Sequence, residues 1–137
     1  MSTTDSQLIP DLWPKEIVFK PVLSPLTILR HQARILGEKS LGMLVAEVGT
    51  DDANRNFTTH ELRLIAPALD GYTRPLLSVE HSPEFPYPCK LVSEGRSQVA
   101  DSPGVLMDIL SKALASPTTR SLIYSLLVRI SEKASTA

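Results

Sequence analysis

The fold turns on the stretch FTTHELRLIAPALDGYTRPLLSVEH, residues 57–81. Two β-rich segments, Phe57–Ala66 and Thr73–His81, flank the dipeptide Asp70-Gly71. Asp-Gly between apolar strands favours a tight hairpin, because the turn that matches strand twist needs positive φ. A two-residue turn here sets Leu62 opposite Val79 and Leu64 opposite Leu77, giving the hairpin one apolar face. Pro67 and Pro75 interrupt the ladder beside the turn and mark a place where a bulge fits.

Further strand material lies on both sides. Leu41–Val48 precedes the loop GTDDANRN (residues 49–56), and Tyr87–Val92 follows the proline-rich SPEFP (residues 82–86). If the first loop closes with Val48 opposite Phe57, Met43 meets Leu62 and Leu41 meets Leu64 on the same apolar face. The expected sheet is a four-stranded antiparallel meander.

Three helices surround this meander, each announced by the same device. Ser24-Pro25, Ser102-Pro103 and Ser116-Pro117 place a capping hydroxyl before a proline. The hydroxyl accepts from an otherwise orphaned amide, and the proline lacks an N–H that would have had no partner. Apolar residues then recur at helical spacing: Ile28, Leu29, Ala33, Ile35 and Leu36; Val105, Leu106, Ile109, Leu110, Ala113 and Leu114; and Leu122, Ile123, Leu126, Leu127 and Ile130. Gly37 is a candidate stop for the first. The predicted order is α-β-β-β-β-α-α, a two-layer α+β fold with helices on one sheet face. Residues 1–14 read as a loose arm that Trp13 can pin down. Lys15–Leu23 reads as a short edge strand or strap, limited by Pro21. Residues 15–137 then form a single domain.

Element order and the Tyr87-Pro88 pair entering the fourth strand resemble the ubiquitin-conjugating-like and RWD architectures. The chain departs from them after that pair. No further proline follows at the spacing those families use, and the cysteine context of the conjugating enzymes is absent.

Composition narrows the functional classes. The 137 residues are 42% hydrophobic and 21% charged, with a formal net charge of −1, which suits one globular core. A nucleic-acid binder ordinarily shows a basic surplus, and none is present. One cysteine, Cys89, precludes an internal disulfide. The N-terminus has no secretory pattern and no apolar run approaches a membrane span, so the cytosol is the expected location. Nothing calls for a cofactor. Phosphate loops, dinucleotide fingerprints and serine-hydrolase elbows are absent. His60-Glu61-Leu62-Arg63-Leu64 begins like a zinc-protease motif but has leucine at its fifth position and lies in a strand.

Three groups of residues remain as candidates. The hairpin register sets His60 opposite His81, two neutral ligands able to share a metal ion or a proton. It sets Glu61 opposite Glu80 on the other face, beside Arg63, as an acid–base pair. Cys89 is a candidate nucleophile if His81 reaches it across neighbouring strands, and otherwise a small buried hydrophobe. Against these catalytic readings stands docking. On the last helix, Tyr124 and Val128 widen the apolar stripe beside Leu127 beyond what a surface helix normally buries. Phe85 and Tyr87, held among prolines, form a second apolar surface or a lid on the core. The expected function is a protein–protein interaction module, docking onto itself or a larger partner through the helix at 116–133. A small enzyme or metal-binding protein is the alternative. A third class, a small-ligand carrier, needs a cavity between sheet and helices.

Overall fold

The computed structural model describes residues 8–17 and 23–136. Helix α1 spans Pro25–Lys39, followed by strands β1 (Val45–Asp51), β2 (Thr58–Ala66), β3 (Tyr72–His81), β4 (Cys89–Ser93) and β5 (Arg96–Ala100). Helices α2 (Pro103–Leu114) and α3 (Pro117–Thr136) complete the order. The strands form one antiparallel sheet in sequential order, β1 to β5, with the helices on one face. The α+β class and the antiparallel meander are as expected, with five strands instead of four.

All three Ser-Pro starts form. The amides of Thr27, Val105 and Thr119 donate to the hydroxyls of Ser24, Ser102 and Ser116 at 3.2, 3.3 and 3.2 Å. Gly37 does not end α1, which continues to Lys39. Instead Leu41 and Gly42 adopt φ of 54° and 79°, and their amides return to the carbonyls of Glu38 and Gly37. These paired bonds satisfy carbonyls the helix end would otherwise orphan. They also remove Leu41–Leu44 from the sheet, so β1 begins at Val45.

That change alters the first register. Val48 lies opposite Leu62 and Ala46 opposite Leu64, not Val48 opposite Phe57. Ala46 and Val48 pack inward, while Leu41, Met43 and Phe57 are exposed. The expectation for this strand pair therefore selected the wrong face of β1. The loop is shorter than assumed, since the strand runs on through Asp51.

The β2–β3 turn is longer than two residues. Pro67–Leu69 form a 3₁₀ turn, and Asp70 and Gly71 both take positive φ (58° and 73°). Near the turn Ala66 pairs with Tyr72 and Leu64 with Arg74; beyond a bulge, Leu62 pairs with Leu77 and His60 with Val79. Leu76 is the extra residue, one position from Pro75. Without it, the longer turn would present the wrong alternation of β3 to the helices; the added residue restores Leu77 and Val79 to the inner face. The expected pairs Leu62–Val79 and Leu64–Leu77 are thus displaced by the turn, while the apolar face survives.

The fifth strand follows Glu94 and Gly95, both at positive φ (53° and 75°), with Ser93 opposite Arg96. It contributes one buried residue, Ala100, and leaves Val99 exposed.

The core has two parts. Ile28 and Leu29 of α1 and Leu106 and Leu110 of α2 pack on Leu62, Leu77, Val79, Cys89, Leu91 and Ala100. Leu126 and Ile130 of α3 pack on Leu44, Leu64 and Ala66. Leu76 touches both groups. Fully buried leucines such as Leu29, Leu64 and Leu126 each contribute about 1.5–3 kcal/mol by removing apolar surface from water. Lys133 Nζ ties α3 to the β2–β3 turn through the Ala68 carbonyl at 2.7 Å.

Of the N-terminal expectations, residues 1–7 and 18–22 lie outside the described residues, which includes Pro21 and most of the strap. Trp13 is 74% exposed, and its amide donates to Asp11 Oδ1 at 2.9 Å.

Candidate functional site

The inner face of the sheet ends, away from the β2–β3 turn, in polar side chains. Thr50 of β1 lies opposite His60 of β2, and His81 of β3 lies opposite Cys89 of β4. His60 and His81 are not directly opposite, because His60 pairs with Val79 and Thr58 with His81. The diagonal still brings the imidazoles together: their Nε2 atoms are 2.8 Å apart and the ring centroids 4.9 Å apart.

The hydrogen bonds of this pair have a determined direction. A carbonyl only accepts, so the 2.7 Å contact between His81 Nδ1 and the Ser82 carbonyl places a proton on Nδ1. In a neutral His81, Nε2 then accepts the Nε2–H of His60. His60 Nδ1 is left to accept from the Thr50 hydroxyl at 2.8 Å.

His60 itself resists protonation. It is 3% exposed, and burial, then the neighbouring His81, then Arg30 hold it below the usual histidine range. In the neutral pair the His60 Nε2–H lies between the two rings. The geometry does not assemble a metal site from more than two ligands: among the described residues no group of three His, Cys, Asp or Glu converges. The remaining histidine, His31 on α1, is exposed, with its Nδ1 2.7 Å from Arg34 Nη2.

Cys89 is buried and its thiol is pushed up to about 11 by that burial, so at neutral pH it is a protonated core group. His81 lies opposite Cys89 on the neighbouring strand, but both of its ring nitrogens are engaged elsewhere, by His60 and the Ser82 carbonyl, and the environment opposes thiolate formation.

Glu61 and Glu80 do not face each other. Glu61 lies opposite Ser78 and Glu80 opposite Thr59, on the outer face of the sheet. Each has its own cation: Arg63 Nε lies 3.4 Å from Glu61, and Lys90 Nζ 3.5 Å from Glu80. The expected acid–base pair is therefore two separate ion pairs. The displacement is the one that separated the histidines, caused by the longer turn and the bulge.

The docking candidates divide differently. Tyr87 is half-buried against the core and its hydroxyl donates to the Leu23 carbonyl at 2.6 Å, with burial raising it to about 12. Phe85, two residues earlier, is 61% exposed. On α3, Leu122, Ile123, Leu126, Leu127 and Ile130 turn toward the sheet to varying depth. Tyr124 and Val128 turn away, 71% and 36% exposed. With Leu127, Ser131, Glu132 and Ser135 they line a shallow depression on the outer side of the helix.

Sequence reasoning missed two features. Thr50 completes the histidine chain but sat in an assumed loop. A cavity of about 310 Å³ also lies between α1 and α3, floored by Ala46, Leu62 and Leu76 and bordered by Gln32, Lys39 and Thr119.

Comparison with protein-family models, curated proteins and solved structures yields no significant match. The fold and side chains define a two-layer α+β protein with a five-stranded antiparallel sheet and helices on one face. Among the described residues no helix is long and apolar enough to cross a membrane.

Proposed function

We propose that this chain is a protein–protein interaction module that docks through the outer face of α3. The observation that carries the reading is the exposure of Tyr124 and Val128 one turn apart on a helix whose other apolar stripe is already packed. A tyrosine at such a position offers a large contact area with few rotatable bonds, which favours interfaces. The charged ends of the same face, Arg120 and Glu132, form a polar rim. The test is co-purification of tagged protein from its native cell, with Tyr124→Asp/Val128→Asp alongside. The variant should fold and lose its stoichiometric companion; an unchanged complex refutes docking through α3.

A second reading rests on the cavity between α1 and α3. Its walls are mainly apolar and Lys39 stands at its border, which suits a small apolar molecule with one anionic end. Binding of a fluorescent fatty-acid probe, abolished by Ala33→Trp, would support a carrier. No binding at micromolar probe would remove that reading.

A further inference from the structure

Residues 120, 124, 128 and 132 lie on one i, i+4 ridge of α3, and all four are exposed. Along this ridge the side chains read Arg120, Tyr124, Val128, Glu132. Among the described residues neither Arg120 nor Glu132 is in an ion pair. The ridge thus has a cation at one end, an anion at the other, and two large apolar groups between.

Such a ridge is its own complement when turned end for end. We infer that the occupant of this surface is a second copy of the chain, its α3 antiparallel about a twofold axis at the level of Leu126. This rests on the docking reading above and names its partner. In that register Tyr124 meets Val128 of the other copy, and Arg120 meets Glu132. The flanking contact is Ser121 on Ser131, two small side chains that let the helices approach. Arg120 and Glu132 each lie six residues from the axis, about 9 Å along the helix, within reach of long side chains across a helix pair.

Other registers fail on charge or packing. A parallel pair sets Arg120 on Arg120 and Glu132 on Glu132, two like-charge contacts. Centring the axis on Tyr124 puts Arg120 against Val128, and centring it on Val128 puts Glu132 against Tyr124. Only the axis at Leu126 joins both charges to partners while keeping the apolar pair together. A twofold interface needs this self-complementarity, because each residue i that meets j is also met by j.

The experiment is sedimentation equilibrium of the purified chain across a wide concentration range, for wild type and for R120E, E132R and R120E/E132R. The wild type should be a dimer. Each single charge reversal turns both ion pairs into repulsions and should weaken association by about tenfold or more. The double reversal restores both pairs and should recover association to within about threefold of wild type. An equimolar mixture of R120E and E132R should form a heterodimer more tightly than either variant pairs with itself, since the introduced carboxylate meets the introduced guanidinium. Circular dichroism of each variant verifies folding, and the mixture recovers association only if both are folded. A wild-type monomer at every concentration overturns the inference yet leaves the docking reading to the co-purification test. A dimer that ignores both single reversals also overturns it. A dimer that also ignores Tyr124→Asp/Val128→Asp places self-association on another surface.

Discussion

His60 Nε2 and His81 Nε2 lie 2.8 Å apart, joined diagonally across β2 and β3, with Thr50 bonded to one ring and the Ser82 carbonyl to the other. The carbonyl determines the polarity of the whole chain. At pH 8, long-range ¹H–¹⁵N spectra should show His60 protonated on Nε2 and bare on Nδ1. A proton on His60 Nδ1 at that pH would contradict the assignment.

The burial of His60 makes stability depend on pH. His60 is held below its ordinary value of 6.5, so the unfolded chain takes up a proton that the folded chain refuses. Its contribution is present above that value and is lost as pH falls from 6.5 toward the lower folded value. Urea midpoints should therefore drop between pH 7.5 and 5.5 (about the range of ordinary histidine titration), and His60→Phe should flatten the slope. An identical slope in the variant would assign the acid sensitivity elsewhere.

Cys89 should behave as a core residue. With its thiol raised to about 11, iodoacetamide should label the folded protein far more slowly than the urea-unfolded chain at the same neutral pH. The folded form should also lose stability as pH climbs from about 9 toward 11, where only the unfolded thiol ionises freely. Rapid labelling of native protein would overturn the buried assignment.

Leu41 occupies a left-handed position, φ 54°, at the end of α1 and is 86% exposed, so its side chain adds strain without burial. Leu41→Gly should stabilise the fold by about 1 kcal/mol, raising the thermal midpoint by a few degrees. A lower midpoint would mean that glycine's extra freedom in the unfolded chain outweighs the relieved strain.

Core and surface positions on α3 and its neighbours should separate cleanly. Leu64→Ala, at a fully buried site facing α3, should lose about 2–5 kcal/mol in chemical unfolding. Tyr124→Ser should change the monomer's stability by no more than about 0.5 kcal/mol. A large loss from Tyr124→Ser would make that residue structural and weaken the docking reading.

The sequence by itself determined the features that depend on near neighbours. Three Ser-Pro pairs started three helices, since a cap needs only a hydroxyl and the amides a few residues on. Asp70-Gly71 marked the hairpin turn, and the spacing of Leu126, Leu127 and Ile130 against Tyr124 and Val128 distinguished the two sides of α3. Pro75 marked the place of the bulge. Tertiary structure alone decided what depends on pairing between distant segments. The loop lengths shifted β1 onto Ala46 and Val48 and separated Glu61 from Glu80. The weakly apolar RSQVA became a strand because Cys89–Ser93 offered it a free edge. His60 and His81 met diagonally because a bulge at Leu76 offset a longer turn. Strand register is a nonlocal quantity: each added residue in a turn moves every pair beyond it, and only packing against the helices selects among the alternatives.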